Sequence, residues 1–250
     1  MFLALLLTPP AAALALLAAF LALEVVGAFA RHRPTPFDRP SPIAVVIPAH
    51  DEGAGLRATV EEAKAQLAPG DRLVVIADNC SDDTADAARA AGAEVLERTD
   101  PDRRGKGFAL QFALDALRAA PPDVVYFIDA DCIPEAGAIE KVAAAAHASG
   151  RPAQGLTLMT APEGAPPHRK VAEFAWLMMN RIRMAGLFRW FDVTRLTGTG
   201  MALPWRIATD LDLASGEIVE DLALSLALTR AGTPPVFAPD AVIRGTFPAS

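Results

Sequence analysis

The chain has 250 residues, with 23 Lys and Arg against 30 Asp and Glu and a formal net charge of -7. At 52% hydrophobic and 21% charged residues, it can fill one sizeable core and is too apolar for a disordered chain. The acidic balance lacks the basic face that neutralising nucleic-acid phosphates requires, so nucleic acid is not an expected partner. Two cysteines, Cys80 and Cys132, are too few for a disulfide scaffold or a Cys-only zinc site and fit a reducing compartment.

From Met1 to Ala30 the one charged side chain is Glu24. Pro9 and Pro10 suit the first turn of a helix, where a missing N–H is harmless. About 20 residues then run to Ala30, roughly 30 Å of helix. Residues 1–30 are thus expected to form a transmembrane helix. A cleaved signal peptide is the competing reading, since Ala28-Phe29-Ala30 has a small-x-small form, but no Lys or Arg precedes the apolar run. Arg31, Arg33 and Arg39 follow it, and the positive-inside rule places what comes after them in the cytoplasm. Four prolines, Pro34, Pro36, Pro40 and Pro42, make residues 31–42 an extended linker. Residues 43–250 form one domain.

Strand and helix patterns then alternate. Residues 43–47 are a first apolar strand, and Leu56, Val60, Ala63 and Leu67 mark one face of the next helix. Residues 73–77 are the second strand, 82–91 the second helix and 94–96 a short third strand. Phe108, Phe112, Ala116 and Leu117 mark a third helix before the strand at 124–128. This order predicts an α/β fold with a mostly parallel sheet flanked by helices, and ligands at the carboxyl ends of the strands. Further on, Trp176, Met178, Met179, Phe188, Trp190 and Phe191 interleave with Arg181, Arg183 and Arg189. Such a segment lies on a membrane surface or packs on the sheet with its arginines in water. Leu222, Leu226 and Thr229 continue a helix to Gly232, and Val236-Phe237-Ala238 is a last short strand.

Each strand of the first half runs into a polar cluster: Ala49-His50-Asp51-Glu52, Asp78-Asn79-Cys80-Ser81-Asp82-Asp83 and Asp129-Ala130-Asp131. Ser81 or Asp82 could serve as a helix cap and Asp51 could favour a helix dipole. Asp129 and Asp131 follow an apolar strand directly, and two carboxylates on one face of an extended segment can share a hard divalent cation that binds a diphosphate. His32, His50, His147 and His168 carry no ligand spacing and read as surface or linker residues. Gly198-Thr199-Gly200 and Gly105-Lys106-Gly107 match neither a dinucleotide fingerprint nor a phosphate loop.

Taken in order, six stretches resemble family 2 glycosyltransferases of the GT-A fold, in their membrane-anchored, processive branch. They are residues 45–52, 78–84, 105–110, 127–131, Thr197-Gly198-Thr199-Gly200-Met201-Ala202 and Val219-Glu220-Asp221-Leu222. The resemblance implies that Pro48, Ala49 and Glu52 line the nucleotide pocket, that Asp78 binds the base, usually uracil, and that Lys106 and Asp129 lie beside the nucleotide. It implies Mg²⁺ or Mn²⁺ on Asp129 and Asp131, a close-approach loop at Gly198, Thr199 and Gly200 near donor sugar and acceptor with Glu220 beside it, and Asp221 as catalytic base. The implied reaction is inverting transfer from a UDP-sugar to a glycan or lipid-linked acceptor at the inner face of a bacterial membrane. Asp51 stands where the family often has Asn, and Asn79 where many members have a second Asp. The family's Gln-x-x-Arg-Trp motif and later membrane helices do not occur before Ser250, which implies a fragment or a shorter architecture. Two other readings stay open: a membrane-anchored nucleotide-binding pseudoenzyme, and a sugar nucleotidyltransferase, which would want a Gly-rich, Arg-containing loop where Pro48 to Glu52 stand.

Overall fold

A computed structural model describes residues 2–30, 38–214 and 220–247. Arg31, Arg33 and Val219, on which parts of the topology and motif expectations rest, lie outside the described residues, as does the Ser250 end. The side chain of Glu220 is likewise not described.

The long apolar helix α1 spans Phe2–Ala28. It does not begin at the two prolines. Pro9 and Pro10 fall inside it, where each withholds the N–H that would bond the carbonyl four residues earlier, those of Leu5 and Leu6. The stretch Pro9–Ala28 is 20 residues long and apolar enough to cross a membrane.

The domain after the linker begins with strands β1 (Ile43–Ala49), β2 (Arg72–Asp78), β3 (Glu94–Arg98) and β4 (Val124–Phe127), linked by helices α2 (Arg57–Lys64), α3 (Thr84–Ala91) and α4 (Lys106–Leu117). Helix α3 starts two residues later than the sequence pattern suggests, because the Asp82 carboxylate turns back to accept from the Thr84 N–H at 3.0 Å. Next come β5 (Ile133–Pro134), α5 (Ala138–Ser149) and β6 (Ala153–Thr160). Helix α6 (Pro167–Leu177) passes through a π-helical turn, Met178–Arg183, into α7 (Met184–Phe191). Strand β7 (Met201–Pro204), short helix α8 (Trp205–Ala208), α9 (Glu220–Arg230) and β8 (Val236–Thr246) complete the order.

All eight strands join one sheet in the order β3-β2-β1-β4-β7-β6-β8-β5. Pairs β1–β2, β1–β4, β2–β3 and β6–β8 are parallel, and β7 enters antiparallel to both β4 and β6. The central strands are buried on both faces, which is why they read as unbroken apolar runs. Alternate residues feed two cores. Val45, Ile47 and Tyr126 face the side covered by α2, α3 and α5, while Val46, Ile76 and Phe127 face α4.

Helix α1 is docked rather than free. Glu24, its one charged residue, is buried and takes a 2.7 Å bond from Arg183 Nε, and the Trp190 indole donates to the Leu23 carbonyl at 2.8 Å. The aromatic and arginine-rich segment at 170–191 therefore does two things. Met184 and Phe188 pack on the sheet side, while Trp190 and Phe191 stay exposed beside α1.

Candidate active site

The parallel half brings its polar clusters to one edge, as its topology requires. At the end of β1 the chain turns at Asp51, whose φ is 52°. Its carboxylate accepts from the Ser81 N–H at 2.6 Å, a bond that holds its pKa below the ordinary value. Thr84 Oγ1 accepts from the N–H groups of Glu52 and Gly53 at 2.9 and 2.8 Å. These bonds fasten the β1 loop to the start of α3. Burial raises the pKa of Glu52, and the Asp131 and Asp129 carboxylates facing it add to the rise.

Asp78 ends β2, buried, with Arg98 Nη1 on its Oδ1 at 2.6 Å. Parallel pairing places Arg98 directly beside Asp78. Asn79 does not act as a second acid here. Its Oδ1 accepts from the Asp100 N–H at 2.7 Å and its Nδ2 donates to Asp78 Oδ1 at 3.1 Å, which braces the β3 loop against β2. His50 is exposed, as a surface residue would be, and also lines the cavity, with Nδ1 2.7 Å from the Asp78 carbonyl.

Lys106 opens α4, and its ammonium reaches both the Asp129 carboxylate and the Gly198 carbonyl, the latter at 2.7 Å. Burial raises the pKa of Asp129, the Lys106 ammonium pulls it back, and the Asp131 and Asp221 carboxylates push it up again. The Asp129 N–H donates to Thr199 Oγ1 at 3.0 Å. Gly200 has a φ of 65° and leaves no room for a side chain, since a Cβ there would lie 2.5 Å from Ile243. A Cβ on Gly198 would lie 3.3 Å from Lys106 Nζ and 3.9 Å from the Asp221 carboxylate. The expected close-approach loop is therefore wedged between a cation and a carboxylate.

This loop is held from behind by residues that the motifs do not include. Gln154 is fully buried in β6; its Nε2 donates to the Thr199 carbonyl at 2.9 Å and its Oε1 accepts from the Thr197 N–H at 2.9 Å. A glutamine inside an apolar strand was the available signal. Asp221 sits in the first turn of α9, and Ser225 links that turn to the loop. Its Oγ donates to the Asp221 carbonyl at 2.7 Å and accepts from the Leu196 N–H at 2.8 Å.

A cavity of about 350 Å³ is lined by Pro48, Ala49, Glu52, Asp78, Lys106, Asp129 and Asp131, together with His50 and Arg104. All the nucleotide and metal candidates thus meet in one place. Gly198 and Asp221 line an adjoining cavity that shares Lys106. Oxygens of Asp129 and Asp131 and the Cys132 sulfur lie within 4.8 Å of one another. Burial, aided by the two carboxylates, pushes the Cys132 thiol up to about 12, so it stays a neutral, soft group. The carboxylates are the hard oxygen donors that Mg²⁺ or Mn²⁺ prefers.

Scaffold and site together define a GT-A fold, with a nucleotide-sized cleft at the carboxyl ends of the parallel strands. A mannosyltransferase from Pyrobaculum calidifontis, solved with GDP-Man and Mn²⁺, aligns with a TM-score of 0.62 at 19% identity over 95% of this chain and 68% of that one. The Mycobacterium tuberculosis glucosyl-3-phosphoglycerate synthase, solved with Mn²⁺, UDP and glucosyl-3-phosphoglycerate, aligns at 0.53 and 22% identity over 86% and 76%. In sequence, the glucosyl-3-phosphoglycerate synthase of Mycolicibacterium paratuberculosis is 39% identical over 98 residues, 36% of this chain and only 29% of that protein. Residues 40–250 match glycosyltransferase like family 2, and the chain belongs to that family. The match reaches the family, not its membrane-anchored, processive branch.

Proposed function

We propose that this chain is an inverting, divalent-metal-dependent glycosyltransferase that moves a sugar from a UDP-linked donor to a glycan or lipid-linked acceptor at the cytoplasmic face of a bacterial inner membrane. The observation that carries the reading is the convergence of Asp129, Lys106 and Asp221 on the Gly198–Gly200 loop, with Asp131 lining the cavity beside Asp129. Asp129 and Asp131 would hold Mg²⁺ or Mn²⁺, which supplies charge neutralisation on the departing diphosphate. Lys106 adds a fixed positive charge at the same point. Asp78, aimed by Arg98, is the acceptor for the N–H of the base. Asp221 takes the proton of the attacking hydroxyl as it reaches the anomeric carbon from the face opposite the diphosphate, and that single displacement inverts the centre.

The membrane part of the proposal is supported by α1. Cleavage of this helix would strip Arg183 of the Glu24 carboxylate and expose the surface on which Leu23 and Trp190 meet. An anchor keeps those contacts. Exposed Trp190 and Phe191 beside α1 suit the bilayer interface, with Arg189 stacked 5.4 Å from the Trp190 ring.

The test is release of free nucleotide from a panel of nucleotide sugars, with Mg²⁺ or Mn²⁺ added or chelated, alongside UDP titration. Release should stop on chelation, and Asp131→Ala should abolish metal-dependent UDP binding. Equal UDP affinity with and without metal in the unaltered chain would overturn the metal site, and absence of release across the panel would favour a nucleotide-binding pseudoenzyme.

A further inference from the structure

We infer that the acceptor is an uncharged hydroxyl compound with an apolar portion, and that it enters through the second cavity, beyond Lys106 from the nucleotide. This rests on the proposed role of Asp221. The cavity measures about 290 Å³ and shares Lys106, Gly198 and Asp221 with the reaction centre. An acceptor hydroxyl must reach Asp221 from the side away from the diphosphate, and among the described residues this cavity offers Asp221 to a ligand.

Its lining sets the chemistry. Leu110, Met201, Leu211 and Leu224 supply apolar walls. Asp210 and Asp212, both exposed, add two carboxylates to that of Asp221. The cation in the cavity, Lys106, is already engaged by Asp129 and the Gly198 carbonyl. Among the described lining residues, a phosphate or carboxylate on the acceptor would therefore meet three carboxylates and no free positive charge. Neutral hydroxyls, in contrast, can donate to Asp210 and Asp212. On α9, Leu222 and Leu226 are 44% and 48% exposed and continue the helix face begun by Ala223 and Ala227 in the cavity wall. This gives an apolar portion a path outward from the mouth.

Photo-crosslinking decides the matter. The full chain in nanodiscs, loaded with UDP and Mg²⁺, is irradiated with an octyl glucoside that carries a diazirine on its alkyl chain. Labels should map to peptides containing Leu110, Leu211 or Leu224. Unlabelled octyl glucoside should compete and 3-phosphoglycerate at equal concentration should not. Ala227→Trp, which fills the cavity mouth, should cut labelling at least tenfold, and Asp212→Lys should turn 3-phosphoglycerate into a competitor. Competition by 3-phosphoglycerate in the unaltered chain, or labelling that stays on α1 and ignores Ala227→Trp, would overturn the inference. UDP affinity with and without Mg²⁺ in the same preparation reads the donor site separately, so loss of that reading is told apart from loss of this one.

Discussion

Gly186 lies against Glu24 so closely that a Cβ on the glycine would overlap the Glu24 carbonyl. The contact lets α7 and α1 approach backbone to backbone and brings Arg183 onto the buried Glu24 carboxylate. Gly186→Val should part the two helices and leave that carboxylate unpaired, a loss of about 3 to 5 kcal/mol. For a chain of this size the unfolding midpoint should fall by roughly 2 to 4 °C per kcal/mol. Leu16→Ala, at a position 73% exposed on α1, should leave it unchanged. Differential scanning fluorimetry in nanodiscs compares the two.

Arg98 and Asp78 form a nearly buried pair, with side chains 10% and 8% exposed. Arg98→Ala strands a buried carboxylate and should cost about 3 to 5 kcal/mol while weakening UDP binding at least tenfold. The double variant Asp78→Ala/Arg98→Ala should regain most of the stability but none of the affinity. Denaturant melts and UDP titrations on the three variants check this; equal affinity in all of them would remove Asp78 from base recognition.

Asp221→Asn separates proton transfer from a helix-end effect. A carboxylate in the first turn of α9 is worth about 0.3 to 1 kcal/mol to the helix, a loss that would lower the amount of folded protein and not the turnover of each molecule. As a base, its replacement should slow transfer by roughly 10² to 10⁴ with donor affinity nearly unchanged. The measurement is the rate per folded molecule at saturating donor.

The two cysteines should differ in reactivity. Cys132 is 3% exposed with its thiol raised to about 12, so at pH 8 roughly one molecule in 10⁴ carries the thiolate. Cys80 is half-buried, with a smaller rise caused first by burial. Iodoacetamide at pH 8 should modify Cys80 first and Cys132 only on unfolding, and peptide mass spectrometry over time reads both. Raising the pH should speed modification of Cys80, whose thiolate fraction grows.

The parallel half of the fold is legible because double burial writes β1 to β4 as continuous apolar runs, and parallel topology brings the polar residues that follow them to one edge. Strand β8 extends past the short strand expected at 236–238, through Pro239 and Asp240. In the sheet these residues bulge out opposite Gly155 and Leu156, and pairing resumes at Val242. Strand β6 was hidden by Gln154 and Thr157, whose polarity serves the Thr197–Gly200 loop and not solvent. The pairing of Arg98 with Asp78 needs the β2–β3 register, which no local pattern reports. Asn79, where many family members have a second Asp, braces the β3 loop, a use that only the tertiary contacts report.

The antiparallel entry of β7 has a consequence for how such a chain can change. Phe127 stands opposite Met201, and the same register carried onward sets Asp129 against Thr199, 70 residues away in sequence. The distance between the carboxylates and the glycine loop is thus fixed by strand pairing and is indifferent to the length of what lies between. A change in the length of the connection from β4 to β7 would leave that distance unaltered, whatever it did to the docking of α7 on α1. One residue inserted within Met201–Pro204, by contrast, would turn every following side chain of that strand to the opposite face. The spacing at the reaction centre thus hangs on the register of a strand of four residues.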